Sequence, residues 1–353
     1  MADGTWAVNA GGNWSLATNW ASSVIADGAS STANFTNNIT AARTVTLDTV
    51  RTIGNLTFSD AGTNSFGWVL SGANTLTLDD GVNKPTITHI TPTTISLALA
   101  GTNGFETTTS TAADLTITST SSTISGTVVC KSTSTGIVIL GGSAQSSNVL
   151  PSVTTANIQD AAAYLYMWSN ASYTIPFTTI SGSGLLGSRN SAATGHVFQA
   201  GCFTSFTGTL RINPVGATVY CTLPDLPANL SYFFSGATAN VGNVYYTSTS
   251  GSLVTTSANI ILDNTNAASG TMNGHLYANG TSAVKITGTV SRVAAGTTIL
   301  NIRGTNTGDN ELSGVISNAT GTLAITKDDA GRWLLSGANT YTGATTLSAG
   351  TLV

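Results

Sequence analysis

Short runs of alternating apolar and polar residues recur along the whole chain. Thr44-Val45-Thr46-Leu47-Asp48, Asn55-Leu56-Thr57-Phe58-Ser59, Thr75-Leu76-Thr77-Leu78-Asp79, Ile95-Ser96-Leu97-Ala98-Leu99 and Asp114-Leu115-Thr116-Ile117-Thr118 show it early, and Val284-Lys285-Ile286-Thr287 and Leu323-Ala324-Ile325-Thr326 show it late. A period of two places alternate side chains on opposite faces of a strand, one buried and one wet. Gly, Asn, Asp and Ser fill the gaps, at the spacing of an all-β fold. The nearest helical candidate, residues 155–168, has alanines enough for one turn, but its aromatic end, Tyr164-Leu165-Tyr166-Met167-Trp168, reads as strand.

Internal repetition selects among all-β folds. Trp68-Val69-Leu70-Ser71-Gly72-Ala73-Asn74-Thr75 returns as Trp333-Leu334-Leu335-Ser336-Gly337-Ala338-Asn339-Thr340. A looser unit, a hydroxyl residue and Gly before a strand, recurs at Ser125-Gly126, Thr207-Gly208, Thr287-Gly288 and Ser313-Gly314. Degenerate echoes of this kind belong to a solenoid, in which one coil cannot bury its inner face until it stacks on the next. At about 20–30 residues per coil, the chain makes on the order of a dozen turns. Neither the linkers of a sandwich array nor the blade signature of a propeller is present.

Composition agrees. Hydrophobic residues are 41% of the chain and charged residues only 7%. Glu, a strong helix former, occurs only at Glu106 and Glu311. With 11 Lys plus Arg and a net charge of −4, no basic stripe forms, which argues against nucleic acid as a partner. No apolar run is long enough for a membrane helix, so membrane insertion by this segment is not expected. Met1-Ala2-Asp3-Gly4-Thr5-Trp6 has no export-signal pattern, and Ser348 to Val353 reads as an unfinished strand; both ends read as trimmed, or the chain as a fragment. Cys130, Cys202 and Cys221 match no metal spacing and read as buried core residues, with a Cys202–Cys221 disulfide as the alternative.

The C-terminal segment, with Leu335-Ser336-Gly337, Asn339-Thr340-Tyr341-Thr342-Gly343 and Ala349-Gly350-Thr351-Leu352, closely resembles the autotransporter passenger-associated β-strand repeat. Gly4-Thr5-Trp6, Asn13-Trp14-Ser15, Asn19-Trp20 and Arg51 to Phe58 look like the opening of long bacterial proteins that carry such repeats. The resemblance implies a right-handed parallel β-helix of the pectin-lyase-like type, export across the bacterial envelope, and a place outside the cell or on its outer surface. On this reading residues 1–30 form an N-terminal cap with a Trp cluster and residues 31–353 the β-helix, with the repeat at 331–353.

No catalytic, metal or cofactor site is expected. Asp79-Asp80 and Asp328-Asp329 sit beside glycines and read as turns. His89, His196 and His275 are scattered, and a Ser–His–Asp triad among so many serines carries little information. Gly182-Ser183-Gly184-Leu185-Leu186-Gly187 lacks the following helix of a nucleotide site. Trp6, Trp14 and Trp20 read either as a cap or as a sugar-stacking surface. Tyr164, Tyr166 and Trp168 alternate with Leu165 and Met167 and are expected to form an outer aromatic patch. The expected function is a non-catalytic adhesive scaffold whose partners are glycans, host or abiotic surfaces, or further copies of itself. The alternatives are a carbohydrate-active β-helix enzyme, with Asp114, Asp160, Asp225 and Asp263 as the acids to place, and a fibre component.

Overall fold

A computed structural model describes residues 2–62, 65–190, 194–212, 219–223, 231–235, 241–263, 271–293 and 295–353. The described chain is strand and turn with two short 3-10 turns, Ala17–Asn19 and Ala21–Ser23. It coils into a parallel β-solenoid of about 12 turns. The alanines at 161–163 lie between the strands Val153–Ile158 and Tyr164–Ser169 and form no helix. Two compact units are present, one of residues 1–167 and 179–185, the other of residues 168–178 and 186–353.

The first unit is built on two parallel ladders. One runs through Gly4–Thr5, Gly28–Phe35, Arg51–Phe58, Thr86–His89, Phe105–Thr109, Gly126–Ser132, Val153–Ile158 and Thr179–Gly182. The other runs through Gly12–Asn13, Arg43–Thr46, Trp68–Ser71, Thr93–Ile95, Leu115–Ile117 and Ile137–Gly141. Parallel register stacks like on like. Val45 pairs with Leu70, Leu70 with Ile95, Ile95 with Ile117 and Ile117 with Leu140. All five are buried, so one inward column crosses five coils. Each such side chain contributes roughly 1.5–3 kcal/mol of burial.

Three ladders form the second unit. The longest includes Val241–Tyr246, Thr271–Ala278, Thr297–Arg303, Thr322–Lys327 and Thr345–Leu347. A second runs Val254–Thr256, Val284–Ile286, Asn310–Leu312, Arg332–Leu335 and Thr351–Leu352, and a third Thr209–Ile212, Ser231–Ser235, Asn259–Asp263 and Val290–Arg292.

Coil length is not fixed, because corners absorb insertions while strands keep register. Asp114 Oδ1 accepts the amide of Ile137 across 23 residues, whereas Asn55 Oδ1 accepts that of Thr86 across 31. The repeated Trp-x-Leu-Ser-Gly-Ala-Asn segment shows what is held constant. Trp68 and Trp333 are both fully buried and donate Nε1–H to the carbonyls of Ser59 and Arg303, at 2.8 and 3.0 Å. A Cβ at Gly72 would lie 2.6 Å from the Leu47 carbonyl, and one at Gly337 2.3 Å from that of Gly314, each on the coil before. Glycine is required there by close approach of backbone.

The first coil is closed by aromatic packing. Antiparallel bridges Ala2–Asp27 and Trp6–Trp20 fold residues 2–27 back on themselves. Trp6, Trp14 and Trp20 are at most 2% exposed, and their indole N–H groups reach the carbonyls of Ala10, Ala26 and Trp14 at 3.1, 3.0 and 2.7 Å. Phe35 packs against all three and stacks on Phe58 at 5.1 Å. Buried indoles of this kind cost about 3–5 kcal/mol when cut to alanine. Trp14→Ala is therefore expected to lower unfolding stability by that amount in a urea titration; a loss below about 1 kcal/mol would show that the cluster does not hold the first coil.

Candidate functional site

The outer face of the longest ladder in the second unit brings aromatic, imidazole and guanidinium groups together. Strand Thr271–Ala278 turns Met272, Gly274, Leu276 and Ala278 inward and leaves Asn273, His275 and Tyr277 half-exposed outside. Parallel register sets Tyr245, Tyr277 and Arg303 in one outward column and aligns His275 and Asn301 in the next, where their counterpart Asn243 is buried. The Tyr245 and Tyr277 rings stack at 4.2 Å and 9°. Arg303 lies over Tyr277, its guanidinium carbon 5.2 Å from the ring centre.

Arg303 is anchored from the next coil by Asp328 at 3.0 Å and Asp329 at 3.1 Å. The hydrogen bond it donates to Asp329 holds the guanidinium pKa above its ordinary value, and Arg303 in turn holds the Asp329 carboxyl below the usual carboxylate range. His275 Nδ1 lies 2.9 Å from Asn243 Oδ1 and 3.4 Å from the Tyr277 hydroxyl. Desolvation, aided by the Arg303 charge, lowers the His275 pKa to about 4, so the ring is neutral at pH 7. The face thus offers aromatic surface, a neutral imidazole and a fixed cation. These suit hydrogen bonding and stacking with a polar, uncharged or weakly acidic ligand.

The aromatic residues singled out from the sequence lie elsewhere. Trp6, Trp14 and Trp20 are core, because each indole packs on another or on Phe35 and spends its N–H on backbone; no sugar-stacking surface is formed there. Tyr164 and Tyr166 are 8% and 4% exposed and meet edge to face at 5.4 Å, which corrects the expected outer patch. Trp168 alone of that trio is half-exposed, with Arg189 4.0 Å above its ring.

The candidate acids are tied to the coil. Asp114 accepts Ile137 N–H at 3.1 Å, Asp160 accepts Ser132 N–H at 3.3 Å, and Asp79 closes its turn on Gly81 N–H at 2.9 Å. Asp225 lies outside the described residues, as do the side chains of Asp263 and Cys221. Cys130 and Cys202 are buried. Gly182 and Gly184 form a strand corner, where a Cβ would meet the carbonyls of Ile158 at 2.0 Å and Ala163 at 2.5 Å.

A serine–histidine contact does exist, sealed in the core. His196 Nε2 lies 3.0 Å from Ser169 Oγ and Nδ1 2.8 Å from Ser188 Oγ, with all three residues unexposed and Tyr173 packed on the ring at 4.8 Å. One nitrogen donates and the other accepts, the pattern of a neutral imidazole. Burial lowers its pKa to about 4. A hydroxyl without access to substrate serves packing rather than nucleophilic attack. His89, also unexposed, sits at the inward position paired with Phe58, and its pKa too falls to about 4 by desolvation.

Two interior cations were not singled out from the sequence. Lys327 is unexposed and directs Nζ to the carbonyls of Asp328, Asp329 and Ala349 at 2.6, 2.8 and 3.2 Å. Arg292, also unexposed, reaches Thr298 Oγ1 at 3.1 Å and the Thr320 carbonyl. Extending the alternation Leu323-Ala324-Ile325-Thr326 by one residue places Lys327 inward, a signal present in the sequence. Desolvation lowers both pKa values.

Residues 325–353, which include Lys327 and the last two ladder strands, match the family model of the passenger-associated-transport-repeat. A stretch of the chain is 50% identical over 50 residues to the adhesin BmaC autotransporter of Brucella suis biovar 1 (strain 1330), covering 14% of this chain and 2% of that protein. The match thus spans a small part of that relative's length. No solved structure matches the chain. The C-terminal coil carries an autotransporter passenger-associated repeat.

The buried imidazoles set an acid limit. A group that titrates near 6.5 when unfolded and near 4 when folded takes up its proton first in the unfolded state, so stability is intact above pH 6.5 and falls as pH drops toward 4. Each buried His is expected to remove roughly 2 kcal/mol between pH 7 and pH 5. Urea midpoints across that range check it. His196→Gln should flatten the slope in the second unit, and an unchanged slope would contradict the assignment.

Proposed function

We propose that the chain is a non-catalytic part of an adhesin-like autotransporter passenger, a β-helical scaffold held at or released from the bacterial outer surface, whose outward side chains bind glycans. The observation that supports the passenger reading is the repeat at residues 325–353, which here forms ordinary coils of the solenoid. The relative's name supports adhesion.

The glycan-binding face is the outward column of Tyr245, Tyr277 and Arg303 flanked by His275 and Asn301. Successive coils bring these groups together from strands far apart in sequence. Their backbones are fixed by ladders on both sides, so little order is lost on binding. A pyranose offers hydroxyls to the guanidinium and imidazole and C–H surface to the tyrosine edges. Contacts of this type are individually weak, and a polymer that spans several coils adds them.

A glycan array probed with the purified chain tests the reading. Binding to a subset of neutral or weakly acidic glycans is expected, and Tyr277→Ala should raise Kd about tenfold, or about 1.4 kcal/mol. Arg303→Met should do the same. Binding that both variants leave unchanged would remove this face from the account, and an empty array would remove the glycan partner.

A further inference from the structure

The outer face of the second ladder in the first unit has a different character. Its two outward columns are Thr44, Val69, Thr94, Thr116 and Ile139, set side by side by one-to-one register across five coils, and Thr46, Ser71, Ser96 and Thr118. Thr46 pairs with Ser71, and the amides of Ser96 and Thr118 continue the row by bonding to Leu70 and Ile95. Neither column holds a charge or an aromatic ring. The charged neighbours are turned to other partners: Arg43 to Asn9 and Thr40, Asp48 to Ser15, Asp114 to Ile137. The hydroxyls of Thr44, Thr46, Thr94, Thr116 and Thr118 make no hydrogen bond among the described residues, and all five side chains are exposed or half-exposed.

The pairing is free of the register shifts seen in the first ladder at Gly28–Thr32 and Gly126–Thr127. Residues therefore repeat at the strand spacing, about 4.7–4.9 Å along each column and about 6.6 Å between columns. β-Branched side chains are stiff, so methyls and hydroxyls keep that spacing. The backbone is fully paired, which excludes strand addition. Absence of rings and charge from the two columns leaves no surface for stacking on a sugar ring or pairing with an ionic polymer. What is left is a rigid, uncharged, two-dimensional pattern of methyl and hydroxyl groups.

We propose that this face binds ice. The repeat along each column is close to the oxygen repeat along one axis of hexagonal ice, so the threonine hydroxyls of a column follow a row of the lattice while the methyls and Val69 and Ile139 occupy the gaps between water molecules. A lattice engages all positions at once, and many weak contacts then sum to firm attachment. The partner is crystalline water, an abiotic surface; the proposal goes beyond glycan adhesion, involves the other unit, and does not depend on it.

Ice-affinity partitioning of the purified full chain tests the proposal, with serum albumin as the non-binding standard. The wild-type chain is expected to be enriched in slowly grown ice. Thr94→Lys combined with Thr116→Lys puts two charges in the centre of the array and should reduce enrichment to the albumin level, while Thr57→Lys, on the other ladder, should leave it intact. Thermal unfolding monitored by circular dichroism verifies that each variant is folded; Thr116→Lys alone takes the place of the double variant should that one unfold. Wild-type partitioning no better than albumin overturns the proposal, as does undiminished enrichment of the lysine variant. Lysine-sensitive binding to crystalline cellulose without binding to ice overturns it in favour of a polysaccharide lattice.

Discussion

Parallel registry between successive coils is the constraint on which everything else rests. A strand two to eight residues long cannot persist alone in water. Here the strands of the described ladders pair with the coils before and after them, and inward residues sit on counterparts one coil away. Val45, Leu70, Ile95, Ile117 and Leu140 are one hydrophobic object contributed by five separated segments. The same registry makes outward columns: Tyr245, Tyr277 and Arg303 in the second unit, and the threonine rows in the first. The proposed binding faces follow from stacking, because a side chain's neighbours are set by the coils above and below rather than by the chain beside it.

Registry also explains the polar interior. Several polar residues in the columns have their bonds met by the coils around them. Asn310, unexposed, receives the amide of Val284 and gives its own N–H to the Arg332 carbonyl, joining three coils. Lys327 caps three carbonyls beside Gly350, where a Cβ would lie 2.4 Å from the Asp329 carbonyl. His196 is satisfied by two serines. Unsatisfied, any of these groups would cost about 1–3 kcal/mol or more. With only 7% charged residues, the chain places much of its ionic chemistry in single, fixed roles: Arg303 on Asp328 and Asp329, Lys285 on Glu311 at 2.7 Å, Lys131 on Glu106 at 2.7 Å.

The architecture was legible because alternation survives wherever a strand has a wet face. Leu76-Thr77-Leu78 and Leu115-Thr116-Ile117 are strands with the expected inward residues, and the echo of Trp68–Asn74 at Trp333–Asn339 marks equivalent corners. The proposed binding surface was not legible. Tyr245, Tyr277 and Arg303 are separated by whole coils of uneven length, so no spacing in the sequence brings them together. Aromatic residues that are close in sequence misled for the converse reason: Trp14 and Trp20 lie near each other in order to bury each other. Alternation at Tyr164 and Tyr166 correctly sets them opposite Leu165 and Met167, but it carries no information about what covers an outward side chain.

A deletion of one coil measures registry most directly. Phe105 pairs with Val128, and Leu115 with Val138. Removing residues 105–127 joins Gly104 to Val128 and returns both ladders to register one coil shorter. The account predicts a cooperative urea transition and a β-sheet circular dichroism spectrum close to those of the parent for this deletion, and loss of the cooperative transition when residues 105–116 are removed instead, since that cut sets first-ladder sequence against second-ladder sequence. Equal tolerance of both deletions, or equal collapse, would contradict it.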